Sequence, residues 1–331
     1  MKNRKLKVVV ALTKKCADFD AFSEVLYSSP KIKKRVNLVF SEDKKHLKKI
    51  ISDADILVCM KVDREAFLKA KDLKWVHTGL AGVERSLFPE LISSQILLTS
   101  SKGIHSITVA ELILGMILAF AKGILISFNY QKKKAWGFEQ ASSNKFDLEG
   151  KILGIVGLGN IGLEVAKRGK ALGMMVYGKK NKIKKGEKIK YVDKIFPKNR
   201  LNQLLKESDF VVLALPYTQD THHLIGQNEL NQMKKTAFLI NTARGAIVDE
   251  EALIKALEDK KIAGAGLDVF EIEPLPSESK LWDFDNVILT PHIGGAMPDY
   301  YRKVAIVFNE NLERFLDGKK LKNLVDKKLG Y

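Results

Sequence analysis

Three side chains of complementary chemistry each follow a short apolar run in the C-terminal half of the chain. Arg244 sits in Asn241-Thr242-Ala243-Arg244-Gly245, behind residues 237–241. Glu273 sits in Glu271-Ile272-Glu273-Pro274, behind residues 263–269. His292 sits in Pro291-His292-Ile293-Gly294-Gly295, behind residues 287–290. Singly, each has an ordinary reading: an arginine paired with a carboxylate, an exposed loop carboxylate, a histidine satisfying a turn. As a set they suit hydride transfer at the carbonyl of a 2-keto acid. Arginine is a fixed cation whose planar fork matches a carboxylate and a polarised carbonyl oxygen. Histidine titrates near neutral pH and can give a proton to that oxygen as hydride reaches carbon. A glutamate beside it orients the ring and stabilises the imidazolium.

For these groups to meet, the runs before them must be neighbouring strands of one open parallel sheet, because ligands bind beyond the carboxyl ends of such strands. The stretch 151–181 supports that sheet. Residues 152–156 read as a buried strand, Gly157, Gly159 and Gly162 give G-x-G-x-x-G, a helical pattern follows, and residues 174–177 form a second strand. The first glycine permits the turn, the second lets a pyrophosphate approach the backbone, and the third lets helix and strand pack closely. The helix N-terminus then favours an anion. Further strands are expected at 191–196, 210–215 (ending at Pro216), 237–241, 263–269 and 287–290, giving a doubly wound sheet of six or seven strands.

Residues 6–12, 36–40, 54–60, 75–78 and 96–99 alternate with helical patterns and predict a smaller parallel sheet, without the glycine fingerprint. Residues 106–130 form the longest helical pattern, capped by Ser106 or Thr108, with Glu111 near its positive end. The last pattern, 300–316, is a helix that crosses back to the first domain. The expected architecture is therefore α/β: a Rossmann domain at 101–296, inserted into a smaller flavodoxin-like domain made of 1–100 and 297–331.

The 331 residues are 46% hydrophobic and 29% charged, as in a globular protein. The two cysteines, Cys16 and Cys59, have no metal-ligand spacing and suit a reducing compartment. The apolar stretch 107–128 is interrupted by Glu111 and Lys122. It leaves 112–121 unbroken, half a membrane span, so a cytoplasmic protein without a membrane partner is expected. The formal charge of +17 suits either a polyanion partner or lysines scattered over solvated surface. The scattered reading is favoured, and no nucleic-acid partner is expected, because no basic patch is interleaved with aromatics. One lysine run stands out: Lys179, Lys180, Lys182, Lys184, Lys185, Lys188 and Lys190.

Over nearly its whole length the chain resembles the D-isomer-specific 2-hydroxyacid dehydrogenases. The resemblance rests on Gly154-x-x-Gly157-Leu-Gly159-Asn160-Ile161-Gly162, on the three post-strand motifs with Gly266-Leu-Asp268-Val-Phe, and on Ala110-Glu111. It also takes in Asn311-Leu and Lys322-Asn323-Leu-Val. It implies that Arg244, Glu273 and His292 are catalytic. It also implies that backbone N–H groups of Leu80-Ala81-Gly82-Val83 take the substrate carboxylate, with Arg244 sharing the substrate. Gly157, Gly159, Asn160, Ile161, Gly162, Pro216, Thr242, Ala243 and Asp268 would hold the cofactor. A homodimer formed through the long-helix region is implied as well; Trp136 and Phe138 would pack either across that boundary or on their own domain.

Two departures refine the expectation. Where NAD-preferring relatives carry an acidic residue for the ribose hydroxyls, this strand ends in Lys179-Lys180-Asn181. That pair suits a 2′-phosphate, so NADP is expected over NAD, unless the lysines merely belong to a lysine-rich surface. The chain also stops soon after Asn323, without the regulatory domain of some phosphoglycerate dehydrogenases. A reductase of glyoxylate or hydroxypyruvate is therefore expected. The alternatives are a D-3-phosphoglycerate or D-lactate dehydrogenase, or a non-enzymatic dinucleotide-sensing regulator.

Overall fold

The computed structural model describes residues 4–330 apart from 144, 182 and 185, so Lys182 and Lys185 of the lysine run lie outside the described residues. The chain divides into two compact units, Met1–Ile104 with Met297–Tyr331, and His105–Ala296.

The first unit is built on β1 (Leu6–Ala11), β2 (Val36–Phe40), β3 (Ile56–Cys59), β4 (Trp75–Thr78) and β5 (Leu97–Ser100). They form one sheet in the order β2-β1-β3-β4-β5, with every pair parallel. Val8, Val9 and Val10, like Ile56, Leu57 and Val58, are fully buried. These are continuous apolar runs, as expected of strands covered on both faces. One cover is the helix Tyr300–Leu316, which brings Val304, Phe308 and Leu312 into a core with Phe22 and Trp75. Phe308 stacks on Trp75 at 4.9 Å and on Phe22 at 5.8 Å. The last helix thus belongs to the same unit as the first strand.

The second unit holds β6 (Ile152–Val156), β7 (Met175–Lys179), β8 (Lys194–Phe196), β9 (Phe210–Leu213), β10 (Phe238–Asn241), β11 (Gly264–Leu267) and β12 (Val287–Leu289). Their order is β12-β11-β10-β9-β6-β7-β8, again all parallel. The strand order reverses at β6, which pairs with both β7 and β9, and this is where a doubly wound sheet opens its ligand crevice. One hydrophobic cluster gathers Leu204, Leu213, Leu239 and Leu253, another Ile155, Val165, Phe210 and Ile240.

The long helical pattern is not one helix. It runs Ser106–Ala121, breaks, and resumes as Ile124–Lys132 at an angle of 72°. Gly123 at the break has a φ of 66°, a left-handed conformation that glycine adopts at little cost. The N-cap position is held by His105 rather than Ser106 or Thr108. Its Nδ1 bonds the Gly295 carbonyl at 2.9 Å instead of closing the helix turn. The first of the two helices buries one broad face, whereas the second has no buried residue. Beyond it Trp136 is 92% exposed and Phe138 is also exposed. No single described helix is long and apolar enough to cross a membrane. The sequence did not suggest the short helix Pro30–Arg35, which begins on a proline suited to a first turn.

Candidate active site

The β6 turn is shaped by its glycines. Gly157 has a φ of +107°, and a Cβ there would lie 2.4 Å from the Ala214 carbonyl oxygen. A Cβ on Gly162 would lie 2.1 Å from the Gly157 carbonyl oxygen, so the helix Asn160–Ala171 starts hard against the turn. Above Gly159 the space is open. Gly159 and Asn160 are exposed, and no side chain caps the helix at Gly159. A twelve-residue helix that starts from an open, exposed turn fits a pyrophosphate, and Gly159, Asn160, Ile161 and Gly162 are the residues that would hold it.

At the far end of β7 the two lysines differ. Lys179 is only 7% exposed, and its Nζ donates to Asn181 Oδ1 at 3.3 Å. Burial, and the charge of Lys198, hold its ammonium below the ordinary lysine range. Lys180 points to a different partner, forming an ion pair with Glu187. Sequence reasoning missed Lys198, which lies just past β8 and carries no local signal.

The three post-strand motifs share one sheet edge. Asn241, Leu267 and Leu289 are aligned across β10, β11 and β12, so the segments that follow start side by side. Asn241 is buried. Its Oδ1 accepts the Ala243 N–H at 3.1 Å and its Nδ2 donates to the Arg244 carbonyl at 2.9 Å, which curls residues 241–244 into a tight turn. Thr242 and Ala243 are half-buried on that turn, and so is Arg244, whose Nη1 donates to the Ala243 carbonyl at 2.6 Å. Pro216, past β9, is exposed, and its carbonyl accepts Thr221 Oγ1 at 2.9 Å.

Asp268 is 2% exposed, and both its oxygens are engaged within the chain. Oδ1 accepts Thr290 Oγ1 at 2.6 Å and the Ile293 N–H at 2.9 Å; Oδ2 accepts the Gly294 N–H at 2.8 Å. This carboxylate therefore anchors the segment that carries His292. His292 itself has a φ of 53°, and its N–H bonds the Thr290 carbonyl at 2.9 Å. Its Nδ1 lies 2.8 Å from Glu273 Oε2, while Glu273 Oε1 accepts the Phe270 N–H at 3.2 Å. One imidazole nitrogen is thus oriented by a carboxylate that is itself held. The ring is half-exposed, which leaves Nε2 to exchange a proton.

In the other unit, the turn after β4 is fixed from below. Ser101 N–H donates to the carbonyls of Thr78 and Leu80, and Thr78 Oγ1 also donates to the Leu80 carbonyl. Among the described residues, the N–H groups of Leu80, Ala81 and Gly82 have no hydrogen-bond acceptor. Such a row of free donors on a braced turn suits an anionic oxygen.

Known proteins resemble the chain over most of its length. A family profile described as D-isomer specific 2-hydroxyacid dehydrogenase, NAD binding domain, matches residues 114–294. A glyoxylate reductase of Thermococcus litoralis is 39% identical over 289 residues, 84% of this chain and 85% of its own. A glyoxylate reductase of Korarchaeum cryptofilum is 35% identical over 288 residues, again 84% of this chain and 85% of its own. Among solved structures, the NADPH-dependent glyoxylate/hydroxypyruvate reductase of Sinorhizobium meliloti, in complex with NADP and sulfate, superposes with a TM-score of 0.83. It is 25% identical and covers 99% of this chain and 100% of that one. The chain belongs to the D-isomer-specific 2-hydroxyacid dehydrogenase family of NAD(P)-dependent oxidoreductases.

Proposed function

We propose that the protein reduces a small 2-keto acid, of the glyoxylate or hydroxypyruvate kind, to the D-2-hydroxy acid, with NADPH as the preferred reductant. The observation that carries this reading is the Glu273–His292 pair, 2.8 Å from Oε2 to Nδ1, on the same sheet edge as Arg244. The reduced nicotinamide supplies a hydride when bound. Arg244 holds the keto acid by its carboxylate and polarises the carbonyl. As the carbonyl carbon gains its C–H bond, the π pair moves to oxygen and takes the proton from His292 Nε2. Glu273 steadies the resulting neutral ring through Nδ1. His292 is then reprotonated from solvent.

In this reading residues 101–296 hold the cofactor, on Gly157, Gly159, Asn160, Ile161, Gly162, Pro216, Thr242, Ala243 and Asp268. Residues 1–100 with 297–331 present Leu80, Ala81 and Gly82 to the substrate carboxylate. The preference for NADPH draws support from the lack of an acidic residue at positions 179–181 and from the mostly buried Lys179 ammonium near Lys198. Glu187 already neutralises Lys180, so Lys179 is the stronger candidate for the 2′-phosphate. A cytoplasmic homodimer completes the proposal, with exposed Ile124, Phe128, Trp136 and Phe138 as the apolar surface a second copy would cover.

Oxidation of NADPH and NADH followed with glyoxylate, hydroxypyruvate and pyruvate tests the reading. We expect turnover with at least one of them and a higher kcat/KM for NADPH. Absence of turnover with every keto acid would remove the enzymatic reading, and an NADH preference of about tenfold or more would remove the cofactor assignment.

A further inference from the structure

Beside the Glu273–His292 pair lies a second carboxylate–imidazole pair that the reaction does not use. Glu271 Oε1 accepts from His223 Nε2 at 2.7 Å and from the Glu250 N–H at 3.3 Å, while the Glu271 N–H donates to Glu250 Oε2 at 3.2 Å. His223 is itself fixed. Its φ is 48°, its N–H bonds the Ala246 carbonyl at 2.9 Å, and its ring stacks on His222 at 3.9 Å. These partners come from three different places: His223 from the segment after β9, Glu250 from the helix start after β10, and Glu271 from the segment after β11.

The Glu250 and Glu271 ends of this cluster lie in the segments that carry residues of the proposed chemistry. The Glu250 helix start ends the segment that carries Arg244. The Gly245 backbone presses against the next segment so closely that a Cβ on it would lie 1.9 Å from the Phe270 carbonyl carbon. Phe270 in turn donates its N–H to Glu273 Oε1. Glu271 therefore belongs to the glutamate-bearing segment and ties it, through Glu250, to the end of the arginine-bearing segment. Its carboxylate lies next to that of Glu250, whose carboxyl is pushed above the usual range by burial and by the Glu271 charge. Two neighbouring carboxylates are held in contact with backbone donors where open solvent is available on the His223 side. As a surface pair, His223–Glu271 contributes little to global stability, so its consequence is local geometry.

We propose that Glu271, clasped by His223 and Glu250, is a positioning residue that keeps the Glu273 segment seated against the Arg244 segment. The inference rests on the catalytic reading of Glu273 and His292. It is tested by steady-state kinetics and thermal melting of Glu271→Ala, Glu271→Gln and His223→Ala, with Glu273→Gln as reference. For Glu271→Ala we expect kcat to fall about tenfold, since misplacement of a reacting group by a fraction of an ångström already costs that much. KM for NADPH should stay within about twofold, because the glycine turn is untouched. Glu271→Gln keeps an oxygen acceptor for both donors and should recover most of the lost kcat. His223→Ala, which leaves the Glu250 tie intact, should lose about threefold and carries the test if Glu271→Ala does not fold. Native kcat in Glu271→Ala, or in His223→Ala where that variant carries the test, overturns the clasp. So does a Glu271→Gln variant as slow as the alanine. If Glu273→Gln also retains native kcat, the catalytic reading has failed; if Glu273→Gln is slow while Glu271→Ala is not, only the clasp has.

Discussion

Two histidines, one in each unit, are treated in opposite ways. His77, in β4, is fully buried, with Nδ1 2.8 Å from Thr99 Oγ1 and Nε2 3.0 Å from Ser101 Oγ. Its ring lies against Phe308, and burial pushes its pKa down to about 3. His292 is half-exposed, with Nδ1 on Glu273 and, among the described residues, no hydrogen-bond partner on Nε2. The neutral ring with both nitrogens bonded to hydroxyls is a strut. Through Ser101, which also bonds the Thr78 and Leu80 carbonyls, it stiffens the turn that presents the Leu80–Gly82 donors. The half-open ring beside a carboxylate is equipped to move a proton. Residue type decides neither role; what decides is whether the second nitrogen is spent.

The largest effect that would break this contrast is on turnover. Replacing His292 by alanine should lower kcat by roughly two orders of magnitude or more, the scale of a lost general acid. Near-normal turnover would take His292 out of the mechanism and leave it as another structural ring. Arg244→Ala should lower kcat and also raise KM for the keto acid, because the guanidinium holds the substrate in both ground and transition states. A change in kcat alone would restrict Arg244 to the transition state.

A difference in partners likewise separates the two lysines past β7, a neutral amide on Lys179 and a carboxylate on Lys180, with a smaller effect. Lys179→Met should raise KM for NADPH about tenfold while leaving KM for NADH within about twofold, the size of one charge-assisted contact. Lys180→Met should change both little, since Glu187 already engages that ammonium. Equal and small effects of both substitutions on NADPH would mean that neither lysine meets the 2′-phosphate.

Much of this was legible in the chain itself, for physical reasons. The spacing of Gly157, Gly159 and Gly162 between an apolar run and a helical pattern left few other structures, since side chains at two of those positions would collide with backbone. Arg244, Glu273 and His292 could be grouped because parallel strands align their ends. The break at Gly123 was not legible: one glycine is tolerated within a helical pattern, and only its left-handed φ ends the helix. Lys179 and Lys180 looked equivalent because the groups that set them apart, the like charge of Lys198 beside Lys179 and the carboxylate of Glu187 on Lys180, lie at distances in sequence that no local pattern reports. Asp268 was expected against the cofactor, but its anchoring of the His292 segment depends on a contact about 25 residues away. The His223–Glu271 tie spans 48 residues and connects two segments with no periodic signal.

The smallest effect concerns the strut, and it is read in stability rather than rate. The folded chain keeps His77 neutral down to about pH 3, whereas an unfolded chain protonates the same ring near the ordinary pKa of about 6.5. Between those values the unfolded state binds the extra proton. The stability contributed by neutral His77 is therefore complete above about pH 6.5 and is lost as pH falls toward 3, by at most about 1.4 kcal/mol per pH unit. Carboxylates elsewhere in the chain titrate in part of the same range. His77→Gln keeps an amide that can both donate and accept but cannot titrate, and the carboxylates cancel in the comparison. Urea unfolding at a series of pH values from about 6.5 to 4.5 should then show the native protein losing stability more steeply than His77→Gln. Parallel slopes would mean that the buried ring accepts a proton in place. The contrast with His292 would then rest on exposure alone and not on which nitrogens are spent.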